Sequence, residues 1–178
     1  MCPFHYFGIT DLEVDGKLPD DESGINDFLH LTSDERVKHI LEQVKYYGYS
    51  GSRVKGLMFC STKNEAKELS RKLNDCGLKT IALTGEDSQE VREAAVKRLT
   101  MSENDSGFAS DHLDYILSVD IFNEGVDIPE INQIVMLRPT ESPIVFVQQL
   151  GRGLRKTEDK EFVVILDFIG NYSNNFMI

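Results

Sequence analysis

Along residues 54–168 the chain alternates between short apolar runs and stretches with helical periodicity. The runs VKGLMFC (54–60), KTIALT (79–84), DYILSV (114–119), NQIVML (132–137) and FVVILDF (162–168) are apolar at both odd and even positions, as expected of strands covered on both faces. Between the first two, residues 63–75 put Ala66, Leu69, Leu73 and Cys76 on one helical face before Gly77. Residues 88–99 form a second helical stretch, with Val91, Ala94, Ala95 and Leu99 predicted to face inward. Upstream, PFHYFGI (3–9) reads as a strand, and residues 33–47 read as a helix. That helix is predicted from the capping-box pair Thr32 and Glu35, the spacing of Val37, Ile40, Leu41 and Val44, and the stop at Gly48. The polar segment TMSENDSGFASDH (100–112) reads as a surface loop. Strands and helices taking turns in this way predict an α/β fold, a mainly parallel sheet with helices on both faces.

Ligands of such sheets sit beyond the carboxyl ends of the strands. The segments to watch are therefore Cys60–Ser61–Thr62, Thr84–Gly85–Glu86, Ser118–Val119–Asp120 running on to Asp127, and Arg138–Pro139–Thr140.

Composition narrows the picture. A chain of 178 residues with 40 % hydrophobic content can build one sizeable core. The formal net charge of -11 argues against a nucleic-acid binder that works by bulk electrostatics. The charge is uneven, however. Asp11, Glu13, Asp15, Asp20, Asp21 and Glu22 face only Lys17 in residues 11–24, which read as a solvated, mobile connection. Arg138, Arg152 and Arg155 outnumber Glu141 in residues 138–155. Three widely spaced cysteines, Cys2, Cys60 and Cys76, suggest free thiols and a cytoplasmic setting, with neither a membrane span nor a signal peptide in the sequence pattern. The four histidines, at 5, 30, 39 and 112, lack metal-ligand spacing.

The octapeptide QQLGRGLR (148–155) carries the candidate chemistry. Ser142 and Pro143 suit a helix start, and at 100° per residue Gln148, Arg152 and Arg155 fall within an arc of about 60°, opposite Val147, Leu150 and Leu154. Gly151 and Gly153 each cost a helix interior about 1 kcal/mol relative to alanine. Two readings stay open on spacing alone. The glycines could serve close helix–sheet packing beside ordinary surface arginines, or the paired guanidiniums could clamp phosphate oxygens.

Taken with its neighbours the segment resembles motif VI of superfamily-two helicases and translocases, Q-x-x-G-R-x-x-R, matched by Gln148, Gly151, Arg152 and Arg155. SVDIFNEGVDIPEI (118–131) resembles motif V, with Gly125 and Asp127 at its characteristic positions. GLMFCSTKNEAKELSRKL (56–73) resembles motif IV, and ALTGEDSQEVREAAVKRL (82–99) the segment after it, with Arg92 at the usual basic position. The elements stand in family order across residues 54–168. Gln148, where DEAD-box RNA helicases carry histidine, and Val119, where many relatives carry threonine, make the chain more similar to the bacterial DNA-translocase and restriction-enzyme-like branch.

The resemblance implies a RecA-like three-layer domain, the second of two, with ATP and Mg²⁺ between them and held mainly by the first. It implies that Arg152 and Arg155 are arginine fingers and that Gly125, Asp127, Gln148 and Gly151 line the nucleotide side. It further implies that Ser61, Thr62, Thr84, Gly85 and Ser118 give hydroxyl and backbone N–H donors to one nucleic-acid strand, DNA ahead of RNA.

A complete motor of this kind also needs G-x-x-x-x-G-K-[ST] and D-E-x-[DH]. The only Gly-Lys pair, Gly16–Lys17, precedes Leu18, and the Asp-Glu pairs at 21–22 and 34–35 follow no apolar strand. The expectation is therefore a crossing segment and acidic linker at 1–31 and a second motor domain at 32–178, monomeric and inactive alone, partnered by a first RecA-like domain of the same parent chain. A catalytically inactive protein-interaction domain that keeps the fold is the alternative.

Overall fold

The structure is a computed structural model; it describes residues 3–10, 32–119, 121, 128–138 and 156–169. In chain order the elements are β1 (Phe4–Thr10), α1 (Asp34–Tyr47), β2 (Gly56–Phe59), α2 (Lys63–Asp75) and β3 (Thr80–Leu83). They continue with α3 (Gln89–Leu99), α4 (Phe108–Asp111), β4 (Tyr115–Ser118), β5 (Gln133–Met136) and β6 (Val163–Ile169). The strands form one sheet in the order β1-β6-β5-β2-β4-β3, and every neighbouring pair is parallel. The α/β reading holds. The strand PFHYFGI becomes β1, paired with β6 along its whole length, so it belongs to the same sheet as the later elements.

Because side chains alternate along a strand, each run feeds two cores. Leu57, Phe59, Ile116, Ile134, Met136, Val163 and Ile165 point to the face packed by Ala95 and Leu99 of α3. Met58, Tyr115, Leu117, Val135, Val164, Leu166 and Phe168 point to the opposite face, against Val37, Ile40 and Val44 of α1 and Ala66, Leu69 and Leu73 of α2. Helices thus cover both faces, as right-handed crossovers between parallel strands require when the chain first moves one way along the sheet and then back.

Three local expectations need correction. The cap of α1 is Ser33, whose hydroxyl accepts the Arg36 N–H at 3.2 Å, and not Thr32, whose carbonyl instead receives the Lys72 ammonium at 2.5 Å. Val91 and Ala94 are exposed. The part of α3 that packs on the sheet is formed by Ala95, Val96 and Leu99. The segment 100–112 is not loop throughout, since Phe108–Asp111 make one helical turn.

Polar side chains inside the fold close helix ends. The buried Gln133 amide donates to the carbonyls of Val44 and Gly48 at 3.1 and 2.9 Å, satisfying the carboxyl end of α1, while its own oxygen accepts the Tyr115 hydroxyl. The Tyr115 ring passes over Gly56, where a Cβ would lie 2.3 Å from it, so that strand position accepts only glycine. Arg53 does the same service at the end of α3, donating to the carbonyls of Leu99, Met101 and Leu113 at 2.6, 2.7 and 2.9 Å.

Candidate functional site

Parallel pairing brings the carboxyl ends of five strands to one edge. Leu83, Ser118, Phe59, Met136 and Asp167 form a single register row across β3, β4, β2, β5 and β6. Beyond it the ladder continues for one further bond at each of three places: Cys60 N–H to Ser118 O at 2.9 Å, Leu137 N–H to Phe59 O at 2.9 Å, and Val119 N–H to Leu83 O at 3.3 Å. The loops after β2 and β3 are therefore presented on either side of β4 at the edge where an open parallel sheet binds ligands.

In the loop after β2, Ser61 and Thr62 are both exposed. Thr62 is extended and caps α2, its hydroxyl accepting the Glu65 N–H at 3.2 Å. Glu65 returns the favour by accepting the Ser61 N–H at 3.0 Å, completing a capping box shifted by one residue. That carboxylate is fully buried and faces Arg36 of α1 at 3.5 Å. Burial pushes the Glu65 carboxyl up from its ordinary value, while Arg36 and the Ser61 and Thr62 amides hold it down. The neighbouring Cys60 thiol is buried and pushed well up, chiefly by desolvation, which leaves it a protonated core group.

The loop after β3 is built the same way. The Thr84 N–H donates to Asp87 Oδ2 at 2.7 Å, and the Thr84 hydroxyl accepts the Glu86 N–H at 3.3 Å. Gly85 is exposed, and a Cβ there would meet nothing within 4 Å, so the protein's own packing does not require glycine. Its carbonyl accepts Arg92 Nη2 at 3.2 Å, which folds the expected basic side chain back onto its own loop. An exposed ion pair, Lys63 to Glu86 at 2.5 Å, spans the two loops.

Of the five residues expected to touch a strand, the structure puts Ser61, Thr62, Thr84 and Gly85 on the two loops that flank β4 at one edge. It alters which atoms they offer. The Ser61 and Thr84 amides are already bonded to Glu65 and Asp87, the Thr62 hydroxyl accepts in the helix cap and keeps only its proton to donate, and Thr84 is buried. The Ser61 hydroxyl and the Gly85 backbone remain on the surface. Ser118 departs from expectation: it is 0 % exposed, because the last residue of β4 turns its side chain toward the α3 face, on the same side as Ile116. Its hydroxyl has no hydrogen-bond partner among the described residues. Gly125, Asp127, Gln148, Gly151, Arg152 and Arg155, together with the helix start at Ser142–Pro143 and the acidic run 11–24, lie outside the described residues.

Sequence reasoning passed over Arg36 and Glu65. The signal for Glu65 was present, since Thr62 and Glu65 have capping-box spacing, but nothing in the pattern of α1 marks Arg36 as interior. Among the described residues, no group of three His, Cys, Asp or Glu side chains is arranged to hold a metal ion, and no helix is long and apolar enough to cross a membrane.

Comparison with known proteins agrees with this geometry. Residues 35–157 match the family described as the helicase conserved C-terminal domain. A putative ATP-dependent helicase of Saccharomyces cerevisiae, IRC3, is 26 % identical over 167 residues, covering 90 % of this chain and 23 % of the yeast protein. A probable ATP-dependent RNA helicase of Methanocaldococcus jannaschii is 28 % identical over 97 residues, covering 54 % of this chain and 24 % of that protein. The chain therefore spans about a quarter of the length of these relatives. Among solved structures, the RNA helicase Prp28 from Chaetomium thermophilum superposes with a TM-score of 0.60 at 17 % identity, covering 98 % of this chain and 34 % of that one. The E. coli DEAD-box protein SrmB gives 0.56 at 18 %, covering 94 % and 78 %. At these identities the structural likeness speaks to the fold.

Proposed function

Because the chain belongs to the helicase conserved C-terminal domain family, we propose that it is the second motor domain of an ATP-dependent helicase or translocase. In this reading the strand-end loops after β2 and β3 contact the phosphates of one nucleic-acid strand. Arg152 and Arg155 reach across to ATP held, with Mg²⁺, mainly by a first RecA-like domain of the same parent chain. ATP supplies the transferable phosphoryl group; this chain supplies guanidiniums where negative charge grows, with Gln148, Gly151, Gly125 and Asp127 beside them. Arginines in that role are worth ~10³–10⁵ in rate where best understood.

The observation that carries the proposal is the placement of Ser61 and Gly85 on the loops flanking β4 at the carboxyl edge of a helicase C-terminal domain. It also accounts for a strand-binding domain with a net charge of -11. A hydroxyl and backbone donors bind phosphate without a basic surface, and Lys63, held by Glu86, is the one lysine bridging the two loops. Gln148 in place of histidine supports DNA ahead of RNA.

The test uses the chain itself. Labelled oligothymidylate should bind, more tightly than oligouridylate and more weakly as salt rises, while ATP turnover stays at background with or without the strand. Strand-stimulated turnover by this chain alone would contradict the division of labour between two domains. Absence of binding would contradict the assignment of the loops.

A further inference from the structure

One buried ionic device has no part in the reading so far. Glu65 is 0 % exposed and Arg36 1 %, and they meet at 3.5 Å with the solvent shut out. Removing two charges from water is expensive, and apolar side chains of similar volume commonly serve stability as well or better. What an apolar pair cannot do is hold particular backbone atoms. The pair holds them in two segments at once. Glu65 Oε2 takes the Ser61 N–H at 3.0 Å. Arg36 Nη2 gives a hydrogen bond to the Leu137 carbonyl at 3.4 Å, one residue past the end of β5.

We propose that Glu65 is a positioning residue for strand binding: the Arg36–Glu65 pair clamps the Ser61 amide inward, so that the Ser61 hydroxyl is held outward toward a phosphate. The proposal rests on the nucleic-acid reading of this loop. With its amide engaged by the buried carboxylate, Ser61 directs its N–H inward and leaves its hydroxyl as a donor on the exposed side. Burial favours protonation of this carboxyl, and Arg36 opposes it. Through Leu137 the same guanidinium ties the loop to the exit of β5, so the loop after β2 and the chain leaving β5 share one anchor.

Fold support and loop positioning separate when stability and binding are ranked against each other. In Glu65→Gln the side-chain carbonyl can still accept the Ser61 N–H, but the buried Arg36 loses the Glu65 charge. In the joint variant Arg36→Met with Glu65→Leu the core is apolar and compensated, but the Ser61 amide loses its acceptor. Three quantities are measured on the 178-residue chain: the melting temperature, hydrogen exchange at the Ser61 amide, and the dissociation constant for labelled oligothymidylate. The joint variant should melt at or above the wild type, exchange Ser61 faster, and bind the strand about tenfold more weakly. Glu65→Gln should melt lowest yet keep Ser61 protected and bind more tightly than the joint variant. Affinities that follow melting temperature, or a joint variant that binds like the wild type, would overturn the positioning role and leave strand binding standing. A wild type that does not bind oligothymidylate removes the strand reading, and this proposal with it.

Discussion

Asp167 puts a carboxyl into the strand Val163–Ile169, where it is 1 % exposed. The Tyr6 hydroxyl donates to Oδ2, while Oδ1 has no partner among the described residues. Desolvation pushes this carboxyl above its ordinary value of 3.8, with the Tyr6 hydrogen bond pulling the other way. A carboxyl whose folded value is raised favours folding at low pH, and that contribution is lost as pH climbs from 3.8 through the raised value. Asp167→Asn keeps the shape and the acceptor for Tyr6 but cannot ionise. Its melting temperature relative to wild type should therefore rise as pH climbs from the ordinary carboxyl value of 3.8 and level off above the raised one. A difference that is flat across that range, or of opposite slope, would contradict it. Nothing in FVVILDF announces this group. Alternation tells which face a strand residue takes but not whether a polar atom there finds a partner, and Gln133 escaped notice for the same reason.

At the scale of elements, periodicity was informative wherever a helix lies flat on the sheet. α2 spans the expected residues 63–75 because Ala66, Leu69 and Leu73 form one stripe, Thr62 caps it and Gly77, at φ 98°, turns the chain away. It misled at the start of α3. Val91 keeps the helical spacing of Ala95 and Leu99 yet is exposed in the first turn. Caps were legible to within one residue: Thr32 and Ser33 are both capping types, and the Ser33 hydroxyl's bond to the Arg36 N–H decides between them. Ser33→Ala should lower stability in urea by about 1 kcal/mol, the usual cost of a lost cap. An unchanged midpoint would show that α1 does not depend on Ser33.

For the whole molecule, the α/β class and the order of its parts follow from the alternation of buried strands and amphipathic helices, and the family match confirms the domain type. Pairing order is another matter. That β1 adds to β6, and that β4 lies between β2 and β3, arises from contacts between segments distant along the chain, which local periodicity does not encode. The loop residues Ser61, Thr62, Thr84 and Gly85 were legible as strand ends, whereas the carboxylates that occupy the Ser61 and Thr84 amides became visible only with side chains in place.

The paired arginines, as proposed fingers for another domain's nucleotide, are tested most directly in a parent chain that joins this domain to a first motor domain. ATP turnover and ATP affinity are measured side by side for the wild type and Arg152→Ala. Turnover should fall by ~10³ or more, the range for loss of an arginine that stabilises a transferring phosphoryl group, while ATP affinity changes only a few-fold. Turnover and affinity lost in equal measure, or neither lost, would contradict the finger role.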